Sequence, residues 1–189
     1  MIKWLLAILF LLPCMVWADS VTRRPSAEGN YDGNWIVSTG TDQWAMIDEA
    51  TSDDDGTYIY SESANRFSCT FPTTPAVPSG ATDISVTVHY ISKKSGALGS
   101  PAFTPFLRFS STDNDGSAQS LTTSYVEYSE AISKPGGGDW TVAEVNGISW
   151  EAGGLHNGSG NNRCTQLWVV ISYTPAATSK PRVTSITRR

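Results

Sequence analysis

Two acidic clusters, Asp53-Asp54-Asp55-Gly56 and Asp113-Asn114-Asp115-Gly116, have residue types and spacing that could do chemistry. Oxygen-rich loops of this kind can hold calcium. Neither continues to the distal Glu of an EF-hand, because Thr57-Tyr58-Ile59 follows the first and Ser117-Ala118-Gln119 the second. Asp-Gly is also the signature of a tight hairpin turn, and the turn is the favoured reading of both. The sequence therefore assigns no metal and no cofactor.

The remaining carboxylates and histidines make no catalytic constellation. Asp48-Glu49, Glu127, Glu130, Glu144 and Glu151 could supply the paired acids of a glycosidase, but none sits in a glycosidase motif. His89 falls on the polar face of a regular strand and His156 in a Gly-rich loop, without a nucleophile elbow nearby. The expectation is a protein that is not an enzyme.

Five tryptophans lie beyond residue 18, namely Trp35, Trp44, Trp140, Trp150 and Trp168. Most aromatics of a small β-protein fill its core. Trp140, beside Gly136-Gly137-Gly138-Asp139, and Trp150, beside Glu151-Ala152-Gly153-Gly154, are the candidate ligand-binding residues because they flank expected loops. An exposed indole there would offer an apolar face with a polar edge to a sugar ring.

The elements that must position these residues read as β throughout. Strands are expected near 35–38, 43–48, 58–61, 66–71, 83–92, 106–110, 124–129 and 165–173. Ile84, Val86, Val88 and Tyr90 alternate with Ser85, Thr87 and His89, the pattern of a half-buried strand. Leu167-Trp168-Val169-Val170-Ile171 is apolar on both faces and predicts a central strand. Thr141-Val142-Ala143-Glu144 has capping-box form and Gly147 supplies a stop, predicting a short helix over 141–147. Many short strands and one helical turn predict an all-β, antiparallel two-sheet jelly-roll sandwich.

The chain ends have their own signals. Residues 1–18 carry a basic start at Lys3, an apolar run from Trp4 to Met15 and a small-residue site at Val16-Trp17-Ala18. That is the layout of a secretory signal peptide cleaved after Ala18, and it predicts a secreted, extracellular protein without a membrane span. Leu11-Leu12-Pro13-Cys14 only faintly resembles a lipoprotein box. Cutting at Ala18 removes Cys14 and leaves Cys69 and Cys164, for which a disulfide is expected in an oxidising compartment.

Residues 19–30 read as a polar leader and 31–175 as the domain. Residues 176–189 read as a linker and a basic β-capable tail, Arg182-Val183-Thr184-Ser185-Ile186-Thr187. Such a run can pair with its own sheet edge or with another subunit. The net charge of −5 argues against nucleic acid as a partner.

A resemblance adds to this reading. Trp44-Ala45-Met46-Ile47-Asp48-Glu49 and Asp53-Asp54-Asp55-Gly56-Thr57-Tyr58-Ile59 resemble the opening of a concanavalin-like jelly-roll domain of bacterial surface and phage-associated proteins. Trp140 to Gly147, followed by Arg163 to Tyr173, is similar to the last helix and strand of that domain. The resemblance implies a sandwich used for structure or attachment, over residues 31–175, and transfers no catalytic residue. The function expected is that of a non-catalytic secreted structural protein, a surface or filament subunit assembling through terminal segments or sheet edges. The alternative is a carbohydrate-binding or adhesive module. Expected partners are further copies of itself, a cell surface or a glycan.

Overall fold

A computed structural model of the protein describes residues 17–177. Residues 1–16, most of the expected signal peptide, and residues 178–189, which include the expected β-capable run Arg182–Thr187, lie outside the described residues. The strands are β1 (Asp19–Arg23), β2 (Ala27–Glu28), β3 (Ile36–Val37), β4 (Ile59–Ser61), β5 (Arg66–Thr70) and β6 (Thr82–Ser95). They continue with β7 (Ala102–Phe109), β8 (Thr112–Asp115), β9 (Gln119–Ser120), β10 (Val126–Ile132), β11 (Trp150–Asn157) and β12 (Asn161–Thr174). A 3-10 turn at Trp44–Met46 and the helix α1 (Val142–Val145) complete the set.

Two six-stranded antiparallel sheets face each other. The first has the order β10-β6-β12-β4-β3, with β1 also on β12; the second has β2-β5-β11-β7-β8, with β9 also on β7. From β4 onward the longer strands alternate between the sheets, β4, β6, β10 and β12 in one and β5, β7 and β11 in the other. Each crossing carries the chain over the core, which is the jelly-roll form of a β-sandwich. No helix among the described residues is long and apolar enough to cross a membrane.

Period-2 alternation builds the core. Val86, Val88 and Tyr90 of β6 and Leu167, Val169 and Ile171 of β12 are buried from the first sheet. Phe67 and Cys69 of β5, Phe103 and Leu107 of β7, and Ala152 of β11 are buried from the second. These side chains form one continuous apolar cluster, the main favourable contribution to folding. Tyr90 and Phe103 stack across the gap with ring centroids 4.0 Å apart, which fixes the two sheets against each other.

Several expectations are corrected by this arrangement. The expected strand at 43–48 is instead the 3-10 turn Trp44–Met46, with Met46 N–H donating to the Gln43 carbonyl and Ile47 N–H to that of Trp44. The turn drops Met46 and Ile47 into the core, and the Ile47 carbonyl accepts from Leu167 N–H of the central strand. Residues 19–30 are part of the domain rather than a leader: β1 pairs with β12 from Asp19 opposite Tyr173 to Arg23 opposite Val169. Arg23 is 2% exposed and donates to the carbonyls of Val145 (2.5 Å) and Pro75 (2.9 Å) and to Asn146 Oδ1 (2.9 Å). A charged donor meeting the last carbonyls of α1 is favourable there, so β1 clamps the helix to the sheet.

The second acidic cluster is not a turn. Asp113 and Asp115 lie in β8, paired with β7, and the reversal precedes them at Ser110-Ser111, both in the left-handed region. Asp53–Gly56 does turn, closed by Gly56 N–H donating to the Asp53 carbonyl at 3.0 Å. The capping box forms as expected, with Glu144 N–H donating to Thr141 Oγ1 and Thr141 N–H to Glu144 Oε2. The expected disulfide is absent: Cys69 and Cys164 are free thiols, each fully buried. They enter the core from opposite sheets as small apolar groups, and the Cys164 thiol donates to the Gln166 carbonyl at 3.4 Å.

Candidate functional site

The two candidate tryptophans have different fates. Trp150 is 2% exposed at the start of β11, its ring stacked on Phe71 at 5.1 Å and its Nε1 donating to the Val145 carbonyl at 3.2 Å. It is a core residue and offers no platform, because the glycines that follow it are strand interior rather than loop. Trp140 is 6% exposed, so it too lacks the open ring face expected of a stacking platform. It does form a wall of a cleft of about 230 Å³.

That cleft sits at one end of the first sheet. Ile84 and Ser85 come from β6, Ala131 and Ile132 from β10, and the segment after β10 closes it with Ser133, Lys134, Gly138, Asp139 and Trp140. The register of β10 on β6, with Ile132 opposite Val86, brings these stretches together. Gly136, Gly137 and Gly138 all have positive φ, at 82°, 84° and 74°, so only glycine lets the chain turn back here without strain. The turn is closed by Gly137 N–H donating to the Lys134 carbonyl at 3.0 Å.

Packing behind the cleft holds Trp140 in place. Its ring meets Phe109 edge-on at 5.5 Å and Trp150 at 6.2 Å. Lys134 Nζ lies 5.9 Å from the Trp140 ring and 5.5 Å from that of Phe109, an ammonium against two aromatic groups. The same Nζ donates to Glu144 Oε1 at 2.7 Å and to the Asp139 carbonyl at 3.2 Å. The Lys134 bond, with the capping bonds from Thr141, holds the Glu144 carboxyl below its ordinary range. Trp140 Nε1 is buried without a hydrogen-bond partner among the described residues. The lining thus combines an indole, the three aliphatic side chains of Ile84, Ala131 and Ile132, the exposed Ser85 and Ser133, Lys134 and Asp139.

The outer sheet faces carry the other polar and aromatic clusters. On the first sheet, His89 stacks on Trp168 at 4.9 Å while Arg24 lies 5.6 Å over the same ring. Arg163 lies 4.5 Å over Tyr58 and Lys93 4.3 Å over Tyr125. Asp55 joins these groups, accepting from Lys93 at 2.7 Å, Arg163 at 2.9 Å and Tyr125 at 3.1 Å. The Lys93 ammonium holds the Asp55 carboxyl below its ordinary range, with Tyr125 and Arg163 adding to the effect. These ring faces already have cationic or imidazole partners, which explains how β12 keeps apolar residues on both sides.

The second sheet is sealed by its own neighbours. Phe106 is fully buried, although its strand position points away from the core, because the Tyr31 ring and the Arg66 guanidinium cover it at 5.8 Å and 4.7 Å. Tyr31 Oη donates to Asp113 at 2.6 Å, and Arg66 grips both Asp115 oxygens at 2.7 Å and 2.8 Å. The carboxylates of both acidic clusters are therefore engaged with side chains of the domain. Of the two expected histidines, His89 lies on the outer face beside Glu127 at 3.3 Å, whereas His156 is fully buried in β11. Burial pushes the His156 imidazole below its ordinary value.

The sequence pointed to one wall of the cleft through the glycine run beside Trp140. It could not find Ile84 and Ser85, which lie more than 50 residues earlier and reach the site only through strand pairing. Lys134 and Asp139 flank the glycine run, and their proximity to Trp140 was the available signal.

Fold and cleft together define a β-sandwich protein with a small mixed-polarity cavity at one sheet end. No protein-family model matches the chain, and no curated protein matches its sequence. Among solved structures, the CBM22-1 xylan-binding domain of Paenibacillus barcinonensis Xyn10C is similar at a TM-score of 0.42 and 12% sequence identity. The match spans 85% of this chain and 97% of that domain, and no residue role is transferred from it.

Proposed function

We propose that this protein is a non-catalytic, exported carbohydrate-binding β-sandwich that takes a small saccharide unit at the Trp140 cleft. The observation that carries the reading is the lining itself: a packed indole wall beside the polar side chains of Ser85 from β6 and of Ser133, Lys134 and Asp139 from the glycine-rich segment after β10. Sugars present apolar C–H faces and rims of hydroxyls, which such a lining matches. A cavity of about 230 Å³ falls below the range of roughly 300–1,000 Å³ usual for drug-sized ligands, so the fit is to one terminal sugar residue rather than a long chain. Export rests on the signal-type segment at residues 1–18.

A glycan array followed by titration calorimetry tests this. Binding to at least one glycan is expected, and Ser133→Trp, which fills the cleft from an exposed position, should weaken it at least tenfold without lowering the melting temperature. An array without signal, or full affinity in the Ser133→Trp variant, overturns the reading. The second reading, a subunit assembling through its termini, is favoured by one observation: β10 is a sheet edge without a strand partner on its outer side among the described residues. The N-terminal segment supports it less, because β1 is paired within its own sheet.

A further inference from the structure

We propose that the outer edge of β10 is the docking site for this chain's own C-terminal segment, Arg182–Thr187, which adds an antiparallel strand there. Three observations converge on this occupant.

The first is the position of the chain's exit. Thr174 at the end of β12 pairs with Thr82 at the start of β6, and β10 ends at the same sheet end, with Ile132 opposite Val86. The following residues stay there: a Cβ built on Gly80 would lie 3.1 Å from that of Ala176. A strand laid antiparallel to β10 must begin beside Ile132, at the end where the chain leaves.

The second is reach. From β12 across β6 and β10 to a new outer position is three strand spacings, about 14 Å. With Ala176 held at Gly80, the five residues Ala177–Pro181 span up to about 17 Å when extended. The six residues Arg182–Thr187 then match the seven of β10. Tethering through so short a connection gives the segment a high effective concentration at its own edge, against which a second copy competes poorly.

The third is charge. β10 carries Glu127 and Glu130 and no base; the Glu130 carboxylate already accepts from Ser117, and Glu127 is more than half exposed, so Glu127 is the charge open to a new strand. The segment after Ala177 carries Lys180, Arg182, Arg188 and Arg189 and no acid. Opposite charges on neighbouring strands stabilise pairing, and the strand would cover the unpaired N–H and C=O groups that make an edge prone to association.

Amide-resolved hydrogen exchange on the full chain tests the proposal. Alternate N–H groups of β10 bond to β6, so the informative amides between Val126 and Ile132 are those directed outward. These should exchange at least tenfold slower in the parent than in a Thr184→Pro/Ser185→Pro variant. Consecutive prolines remove a donor whichever parity faces the edge. A charge pair gives an independent readout: in this register Glu127 faces Thr187 beside Arg188 and Arg189, so Glu127→Lys should speed the same amides, and adding Arg188→Glu/Arg189→Glu should slow them again. Light scattering should report a monomer at every concentration. Equal exchange in parent and proline variant overturns the proposal. Protection that rises with concentration alongside a dimer mass also overturns it and makes a second copy the occupant.

Discussion

Gly153 and Phe67 approach so closely that a Cβ on Gly153 would lie 1.9 Å from the Phe67 carbonyl oxygen. The next residue repeats the constraint from the other side, since a Cβ on Gly154 would lie 2.0 Å from the Phe103 ring. These glycines sit in the middle of β11, between β5 and β7, where the second sheet is tightest.

Gly153→Ala should therefore destabilise the fold by about 3 kcal/mol or more, because the methyl group meets backbone that cannot swing aside. Gly137→Ala is the contrasting case. Its Cβ would meet nothing within 4 Å, and its cost is confined to a positive φ, about 1 kcal/mol. Urea denaturation of the two variants should show this order.

Cys69 and Cys164 should resist modification in the native protein and react fully once it unfolds. Both are buried, and burial pushes the Cys69 thiol well above its ordinary value and the Cys164 thiol up to about 12. Neither presents a thiolate near neutral pH. Alkylation followed by peptide mass spectrometry, without reductant, should label neither site in buffer and both in guanidinium chloride. Failure to label both after unfolding would mean that they are oxidised. Their folded values lie above the unfolded value, so the unfolded chain loses its protons first as pH rises through about 9. Stability from these thiols should fall above that point.

His156 should make the fold sensitive to acid. Its ring is fully buried, 6.5 Å from Trp35, and both nitrogens lack hydrogen-bond partners among the described residues. Burial lowers its folded value, so below an unfolded value of about 6.5 the unfolded chain binds a proton that the folded chain does not. Stability should fall with decreasing pH at up to about 1.4 kcal/mol per unit until the folded value is reached. Comparing urea midpoints of the parent and His156→Leu at pH 7.5 and 5.5 isolates this contribution. Glu28 and Glu49, whose carboxyls burial raises, act with the opposite sign and cancel in the comparison.

Particular residues show how much of the fold could be read in advance. Ile84 to Tyr90 and Leu167 to Ile171 announced β6 and β12 because burial against a flat sheet imposes a period of two, or apolar residues on both faces at the centre. Thr141 and Glu144 announced α1 because a capping box is a local device whose bonds span three residues. β11 was invisible for the opposite reason. Its Gly153-Gly154 pair has loop composition, and only the approach of Phe67 and Phe103 from neighbouring strands explains why a strand needs it. His156 was placed in a loop by the same sequence and lies in the core.

The candidate site divides along the same line. The sequence by itself determined a two-sheet β-sandwich, its alternating core, the short capped helix and the glycine run beside Trp140, all set by interactions between near neighbours in the chain. The tertiary structure alone decided that Trp150 is core, that Trp140 walls a cleft with Ile84 and Ser85, and that Asp113 and Asp115 face Arg108 and Arg66 instead of turning. Those outcomes depend on strand register and sheet partner. Register and partner are fixed by contacts between residues far apart in the chain, which no local pattern encodes.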